Sequence, residues 1–211
     1  MDLKPVIIFG ANTIGKAAVD IFKSNNIDVY CILDDDEATH EQEIGEIMVM
    51  GSTSDHGFIK YIGKKCDAFV AYDDNEAKKG ITDMLMDRRK VMPVNAVHHR
   101  ATISTYADIG HGNYVGAGAV VNAFARVHNH TIIHSNVLIE GDVELEDFVQ
   151  VGGGSVINSG VKVAKDAFIG SGVTVVSGVK IGKNARIGAG SVVVSDVKEG
   201  ETVFGNPAKS V

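Results

Sequence analysis

The sequence predicts an α/β domain followed by a parallel β-helix, and three observations carry that prediction. From Ile103 to Val193 every sixth residue is aliphatic, without a miss. Glycine is split unevenly, with seven in residues 1–100 and seventeen in residues 101–211. In the first hundred residues, short apolar runs alternate with helical stretches, the pattern of βα units around a parallel sheet. The change in composition divides the chain near residue 98, giving domains over residues 1–97 and 98–211.

Val6-Ile7-Ile8-Phe9 reads as a buried parallel strand, and Gly10 to Gly15 as a tight turn. Residues 16–24 form an amphipathic helix, and Val29–Leu33 a second strand ending in Asp34-Asp35-Asp36. Residues 47–49, 68–71 and 90–92 are further strand candidates, with a helix over 77–89 between the last two. The turn Gly10-Ala11-Asn12-Thr13-Ile14-Gly15 is an imperfect G-x-G-x-x-G in which Asn12 takes the middle glycine's place. Asparagine tolerates a left-handed φ, so the turn survives. Asp34 lies about 20 residues beyond it, where an acidic group binds a ribose hydroxyl. A first half of this length is too short for two mononucleotide halves, so a complete dinucleotide site is not expected. The bland reading of Asp34-Asp35-Asp36 is a solvated loop.

The second half is a repeat of hexads. Each supplies one short flat strand and one corner, and three hexads close a coil, so residues eighteen apart stack. The sixth-residue aliphatics point inward. Four residues after them come small or branched residues, among them Ala119, Val137, Val149, Val161 and Ala185. Glycine often follows the aliphatic directly, as at Gly110, Gly116, Gly152, Gly170, Gly182 and Gly188, and is assigned to corners of unusual φ/ψ. An antiparallel sandwich predicts period-two strands and hairpin turns instead, and does not fit.

Composition narrows the function classes. A chain of 211 residues with 45% hydrophobic and 22% charged residues belongs with soluble globular proteins. A net charge of −7 offers no basic face for nucleic acid. No apolar run approaches the roughly 18 residues of a membrane span. Asp2 and Lys4 flank a short apolar strand, which excludes a signal peptide. Cys31 and Cys66 are too few for a disulfide framework, so a cytoplasmic protein is expected.

The repeat segment resembles the left-handed β-helix acyltransferases, and Val203-Phe204-Gly205-Asn206-Pro207-Ala208-Lys209 looks like their closing "GNPAK". A short Rossmann-like domain ahead of such a helix resembles the sialic-acid-type sugar O-acyltransferases and the N-acetyltransferases of nucleotide-linked amino sugars. Gly10 to Gly15 stands at the family's glycine-rich loop, and residues 45–52 resemble its "G-x-P-V-x-G-S" stretch. Asp73-Asp74-Asn75 resembles its "GDN", and Val97-His98-His99 its "I-H-P" with His99 replacing proline. The resemblance implies that the small domain holds the sugar nucleotide, through Gly10, Ala11, Asn12, Thr13, Asp34, Asp35, Asp74 and Asn75. It implies that the β-helix binds acetyl-CoA or another acyl-CoA as co-substrate, near Ser159, Gly170, Ser171, Gly178, Lys180, Gly188 and Ala189. It further implies a homotrimer with sites between subunits, and no metal.

The family's most specific motif is aliphatic–acidic–His–Asp/Glu within one hexad, with that histidine as general base. The ungapped match here is Ile139-Glu140-Gly141-Asp142, so glycine stands where histidine is expected. A second family histidine matches Gln150, and an upstream family asparagine matches His134. Transfer of an acyl group to an alcohol needs help with a proton of high pKa, whereas a sugar amine near neutrality attacks a thioester unaided. The missing histidine therefore favours N-acylation over O-acylation. The Ser159 backbone N–H, one coil from Gly141, is the candidate oxyanion donor by family analogy, and His134 and Asp142 are the replacement catalytic groups. The alternatives are O-acetylation with His134 as base, or a non-catalytic sugar-nucleotide or CoA-binding protein. The histidines from His111 to His134 suggest a metal site, but no pair stands one coil apart.

Overall fold

The computed structural model describes residues 3–211. The chain divides into two compact units, the first running to His99 and the second from Arg100 to Val211.

In the first unit, β1 (Val6–Phe9), β2 (Val29–Leu33), β3 (Glu43–Ile44), β4 (Ile47–Gly51) and β5 (Asp67–Val70) form one sheet in the order β3-β4-β2-β1-β5. β1 lies parallel between β2 and β5, and its four residues are all buried, as a continuous apolar run requires. Ile7, Phe9, Cys31, Leu33 and Leu85 pack in one core cluster. Phe22 of α1 (Thr13–Ser24) meets Phe69 edge to face at 5.8 Å. The chain continues through a single-turn helix, α2 (His56–Ile59), and the longer α3 (Asn75–Arg89).

Two local readings change. α1 begins at Thr13, three residues before the expected start, because Asn12 is its N-cap. Residues 90–92 form no strand: Lys90, at φ 56°, is the left-handed C-cap of α3, and Pro93 follows.

The second unit is a parallel β-helix of two-residue strands. One face runs Val121, Ile139, Ile157, Val175, Val193, each in register with the residue eighteen positions on. The inward aliphatics from Val115 to Val193 are at most 2% exposed. Buried polar groups in the interior columns are paired. Asn113 accepts from Thr131 N–H and Oγ at 2.8 Å each, and Ser155 Oγ donates to the Gly170 carbonyl at 2.9 Å.

The corners differ from expectation in an instructive way. From Gly112 to Gly190 every sixth residue has a positive φ, and it stands three residues after the aliphatic, not one. Non-glycine residues such as Phe124, Asn136, Asp142 and Phe148 hold that conformation too. The glycines directly after the aliphatics have no such φ. They are excluded from carrying a Cβ by the next coil: at Gly152 it would strike the Ser171 amide, and at Gly116 it would lie 2.7 Å from the Ser135 nitrogen.

Candidate active site

In the first unit, the carboxyl ends of β1 and β2 bring the glycine-rich turn to Asp34. Gly10, at φ 113°, makes the bend, and a Cβ on Gly15 would collide with the Gly10 carbonyl. Asn12 is extended (φ −78°), not left-handed, and its side-chain oxygen accepts from Ile14 N–H at 2.9 Å and Gly15 N–H at 3.1 Å. The turn therefore caps its own helix with the amides that a dinucleotide-type turn offers to phosphate. Asp34 is buried, with one carboxylate oxygen on Ala11 N–H (2.6 Å) and the other on Asp36 N–H (2.8 Å). Its first work is to lock the turn to the end of β2. Asp74 likewise caps α3, accepting from Ala77 N–H at 2.7 Å, with Asn75 as the first helical residue.

A cavity of about 390 Å³ opens beside these groups. Asp34 and Asp35 are the only charged residues in its lining; Thr53, Ser54 and Tyr72 add polar atoms, and Ala77, Ile81 and Met84 an apolar wall. Asp35 is held by Thr53, whose N–H and Oγ both donate to it at 2.8–3.0 Å. Burial, reinforced by Asp34 and Asp35, pushes the Tyr72 phenol well above its ordinary pKa. A cavity with carboxylates, a neutral phenol and an apolar wall suits the hydroxyls and flat ring of a nucleoside better than its phosphates. Gly10, Ala11, Asn12, Thr13, Asp74 and Asn75 do not line it. Thr53, Tyr72 and Met84 do, and no sequence motif had marked them.

On α3, the helix that supplies the cavity's apolar wall, Lys78 is 1% exposed, its ammonium pKa lowered to about 8 by burial despite the attraction of Asp73 and Asp74.

In the second unit, the sequence-predicted residues separate onto two corners. Gly170, Ser171, Gly188 and Ala189 stack on one corner with His134 and Ser135 at its lower end. The left-handed positions here, Gly154, Gly172 and Gly190, face open space where a Cβ would be. The result is a smooth stripe of small residues that leaves room for a long thin ligand such as a pantetheine arm. Asp142, Ser159 and Gly178 share a different corner, where Gly160 N–H donates to the Gly141 carbonyl and Gly178 N–H to that of Ser159. Ser159 N–H makes no hydrogen bond among the described residues. Lys180 lies on the adjoining charged face in line with Lys162 and Glu144. There Glu144 meets Arg126 at 3.3 Å, His128 at 3.4 Å and Lys162 at 3.7 Å.

Two cavities mark these corners. One, of about 340 Å³, includes His134, Ser135, Gln150, Phe168 and Ser171. The other, of about 360 Å³, includes Tyr106, Phe124, Arg126 and Asp142, with the two exposed rings 5.6 Å apart. Among the described residues no three His, Cys, Asp or Glu side chains converge on a metal position. Among the described residues no helix is long and apolar enough to cross a membrane.

Residues 5–85 match the model of the PglD N-terminal domain, and residues 160–195 that of the bacterial transferase hexapeptide. No curated protein matches the chain. Among solved structures, perosamine N-acetyltransferase from Caulobacter crescentus, in complex with CoA and GDP-perosamine, superposes with a TM-score of 0.89 at 28% identity. That match covers 100% of this chain and 98% of the other. The acetyltransferase domain of PglB from Neisseria gonorrhoeae, with acetyl coenzyme A, gives 0.90 at 26% identity and covers both chains fully. The chain thus carries a PglD-type N-terminal domain and a transferase hexapeptide repeat, and along its whole length it is similar to acetyltransferases that include one acting on a nucleotide-linked amino sugar.

The chain shares the fold of these structures, and its own sequence has glycine at 141, where the resemblance leads one to expect histidine. Gly141 has an ordinary φ, and an added Cβ would find only the Ala123 carbonyl, at 3.2 Å. The backbone does not demand glycine there; the left-handed residue of that corner is Asp142. The perosamine enzyme has also been crystallised as histidine-to-asparagine and histidine-to-alanine variants with CoA and GDP-perosamine.

Proposed function

We propose that the protein transfers an acetyl or other acyl group from acyl-CoA to the amino group of a nucleotide-linked amino sugar. The observation that carries this reading is the full-length match, at TM-scores of 0.89 and 0.90, to two acetyltransferases, one holding CoA with GDP-perosamine and the other acetyl coenzyme A. The local geometry agrees. The cavity of the first unit takes the nucleoside on Asp34, Asp35 and Tyr72. The stripe over Gly170, Ser171, Gly188 and Ala189 takes the pantetheine arm, with the thioester toward His134.

The thioester activates the acyl carbon, and the residues of this chain orient the partners and exclude water. The amine attacks as its free base, so the missing histidine at 141 does not stop the reaction. Asp142 and Ser159 lie on a corner that His134 does not share, which supports a homotrimer in which one copy's Asp142 and Ser159 complete the site of the next. Gly178 and Lys180 then contact the same CoA from that second corner and its adjoining face. Buried free thiols at Cys31 and Cys66 support a cytoplasmic setting, as does the sugar-nucleotide substrate.

The test is release of free CoA thiol from acetyl-CoA and longer acyl-CoA donors against a panel of nucleotide-linked amino sugars. Turnover with at least one amine acceptor, and none with the matching hydroxyl sugar, is expected. Binding of both ligands without turnover would make this a binding protein instead.

A further inference from the structure

Along the small-residue corner, positions 116, 134, 152, 170 and 188 form a column that is glycine at every coil but one. Gly116 and Gly170 are barred from a Cβ by the backbone of the next coil, at 2.7 and 2.6 Å, and Gly188 by the Phe204 ring. At 134 the chain carries an imidazole instead. It is half-buried, its ring centre 6.0 Å from that of Tyr114, and it lines the cavity of about 340 Å³.

His134 is the one imidazole of that lining, and no carboxylate or ammonium shares the lining. The Tyr114 ring lies against the imidazole, and the Arg186 guanidinium stacks 4.9 Å over the Phe168 ring of the same lining. The backbone N–H groups of Gly153 and Ser171, in the same lining, make no hydrogen bond among the described residues. A proton acceptor and two free donors thus share one small cavity at the end of a smooth stripe. These are groups that accelerate acyl transfer, by taking the amine's proton and by stabilising the oxyanion.

The geometry points to His134 as the catalytic base of the amide-forming step, with Gly153 and Ser171 N–H as the donors to the acyl oxygen. This rests on the acyl-transfer reading above and moves the oxyanion donors from Ser159 to His134's own corner. The amine nitrogen attacks the thioester carbon, the C–N bond forms, and the carbonyl electron pair moves onto oxygen toward those N–H groups. A proton then passes from nitrogen to the imidazole. The oxygen pair returns, the C–S bond breaks, and the departing thiolate takes the imidazolium proton. Amide, CoA thiol and neutral His134 remain.

The test is His134→Gly, because glycine fills this column at every other coil and the fold is expected to persist. Its kcat should fall by about 100-fold or more, the acid limb of the kcat–pH profile should vanish, and added imidazole should restore part of the rate. His134→Asn should lose the same limb without imidazole rescue. Active wild type with a His134→Gly variant inside about threefold of its kcat and the same pH profile overturns the assignment alone. A loss confined to KM and unmoved by imidazole does so too. Wild type that releases no CoA from any donor–acceptor pair overturns the acyl-transfer reading and the assignment with it.

Discussion

Gly170 and Gly172 stand two residues apart on one corner and should resist alanine for different reasons. A Cβ at 170 would lie 2.6 Å from the Ala189 nitrogen and 2.9 Å from both its Cα and the Ile187 carbonyl oxygen, all backbone of the next coil. Two coils tied by the strand ladder would have to part, and overpacking of that kind costs about 3 kcal/mol. At 172 the space is open and only the φ of 68° resists a side chain. Left-handed strain of about 1–2 kcal/mol, partly offset by a less flexible unfolded chain, leaves about 1 kcal/mol. Asparagine already holds this corner two coils lower, at Asn136 with φ 57°, so Gly172→Asn should be nearly neutral. For a chain of this size, thermal unfolding should place Gly170→Ala about 6–12 °C below wild type, and Gly172→Ala about 2–4 °C below. Because both positions border the proposed acyl-CoA stripe, KM for acyl-CoA should rise with Gly172→Ala even though the fold is intact. Equal destabilisation by the two alanines, or a Gly170→Ala variant as stable as wild type, would mean that the next coil's backbone does not bar a side chain at 170.

Asn12→Ala should destabilise the first unit by about 1 kcal/mol in chemical denaturation, since it removes the acceptor for two α1 amides. Asp34→Asn should cost about 1–3 kcal/mol, because one amide oxygen cannot serve both Ala11 N–H and Asp36 N–H, and it should also weaken nucleotide binding measured by calorimetry. Lys78 has a native pKa of about 8 against an ordinary 10.5, so the unfolded chain holds the extra proton between those values and stability should rise with pH across that window. Measured as the difference between wild type and Lys78→Met, the rise should reach about 3 kcal/mol; the difference is needed because Cys31, its thiol pushed up to about 12, loses stability above pH 9. A flat difference curve would show that Lys78 is charged as readily in the fold as in water.

The β-helix was legible because its signal is strictly periodic: sixteen aliphatics at a six-residue spacing stack into three inward columns and fit no hairpin pattern. What periodicity hid was which corner residue carries the strained backbone. Phe124 and Phe148 hold positive φ as Gly154 does, so identity alone does not mark the position. Asn12 was misread for the opposite reason. Its place in a glycine motif suggested a left-handed residue, whereas its place before Thr13-Ile14-Gly15 made it an N-cap, and two satisfied amides outweigh the motif. In the site, His134, Asp34 and Asp35 could be named from sequence because titratable residues are few there. Thr53, Tyr72 and Met84 could not, since only the fold brings them beside Asp35. Gln150 and Phe168 join His134 through strand register, a relation visible only once eighteen residues are known to make a coil.

The most direct test is the identity of the product formed from acetyl-CoA and a nucleotide-linked amino sugar. Stoichiometric CoA thiol is expected, with an acetylated sugar nucleotide that survives mild base, as an amide does. An acetylated product cleaved by mild base, or acetylation that proceeds equally on the hydroxyl analogue, would contradict transfer to the amine.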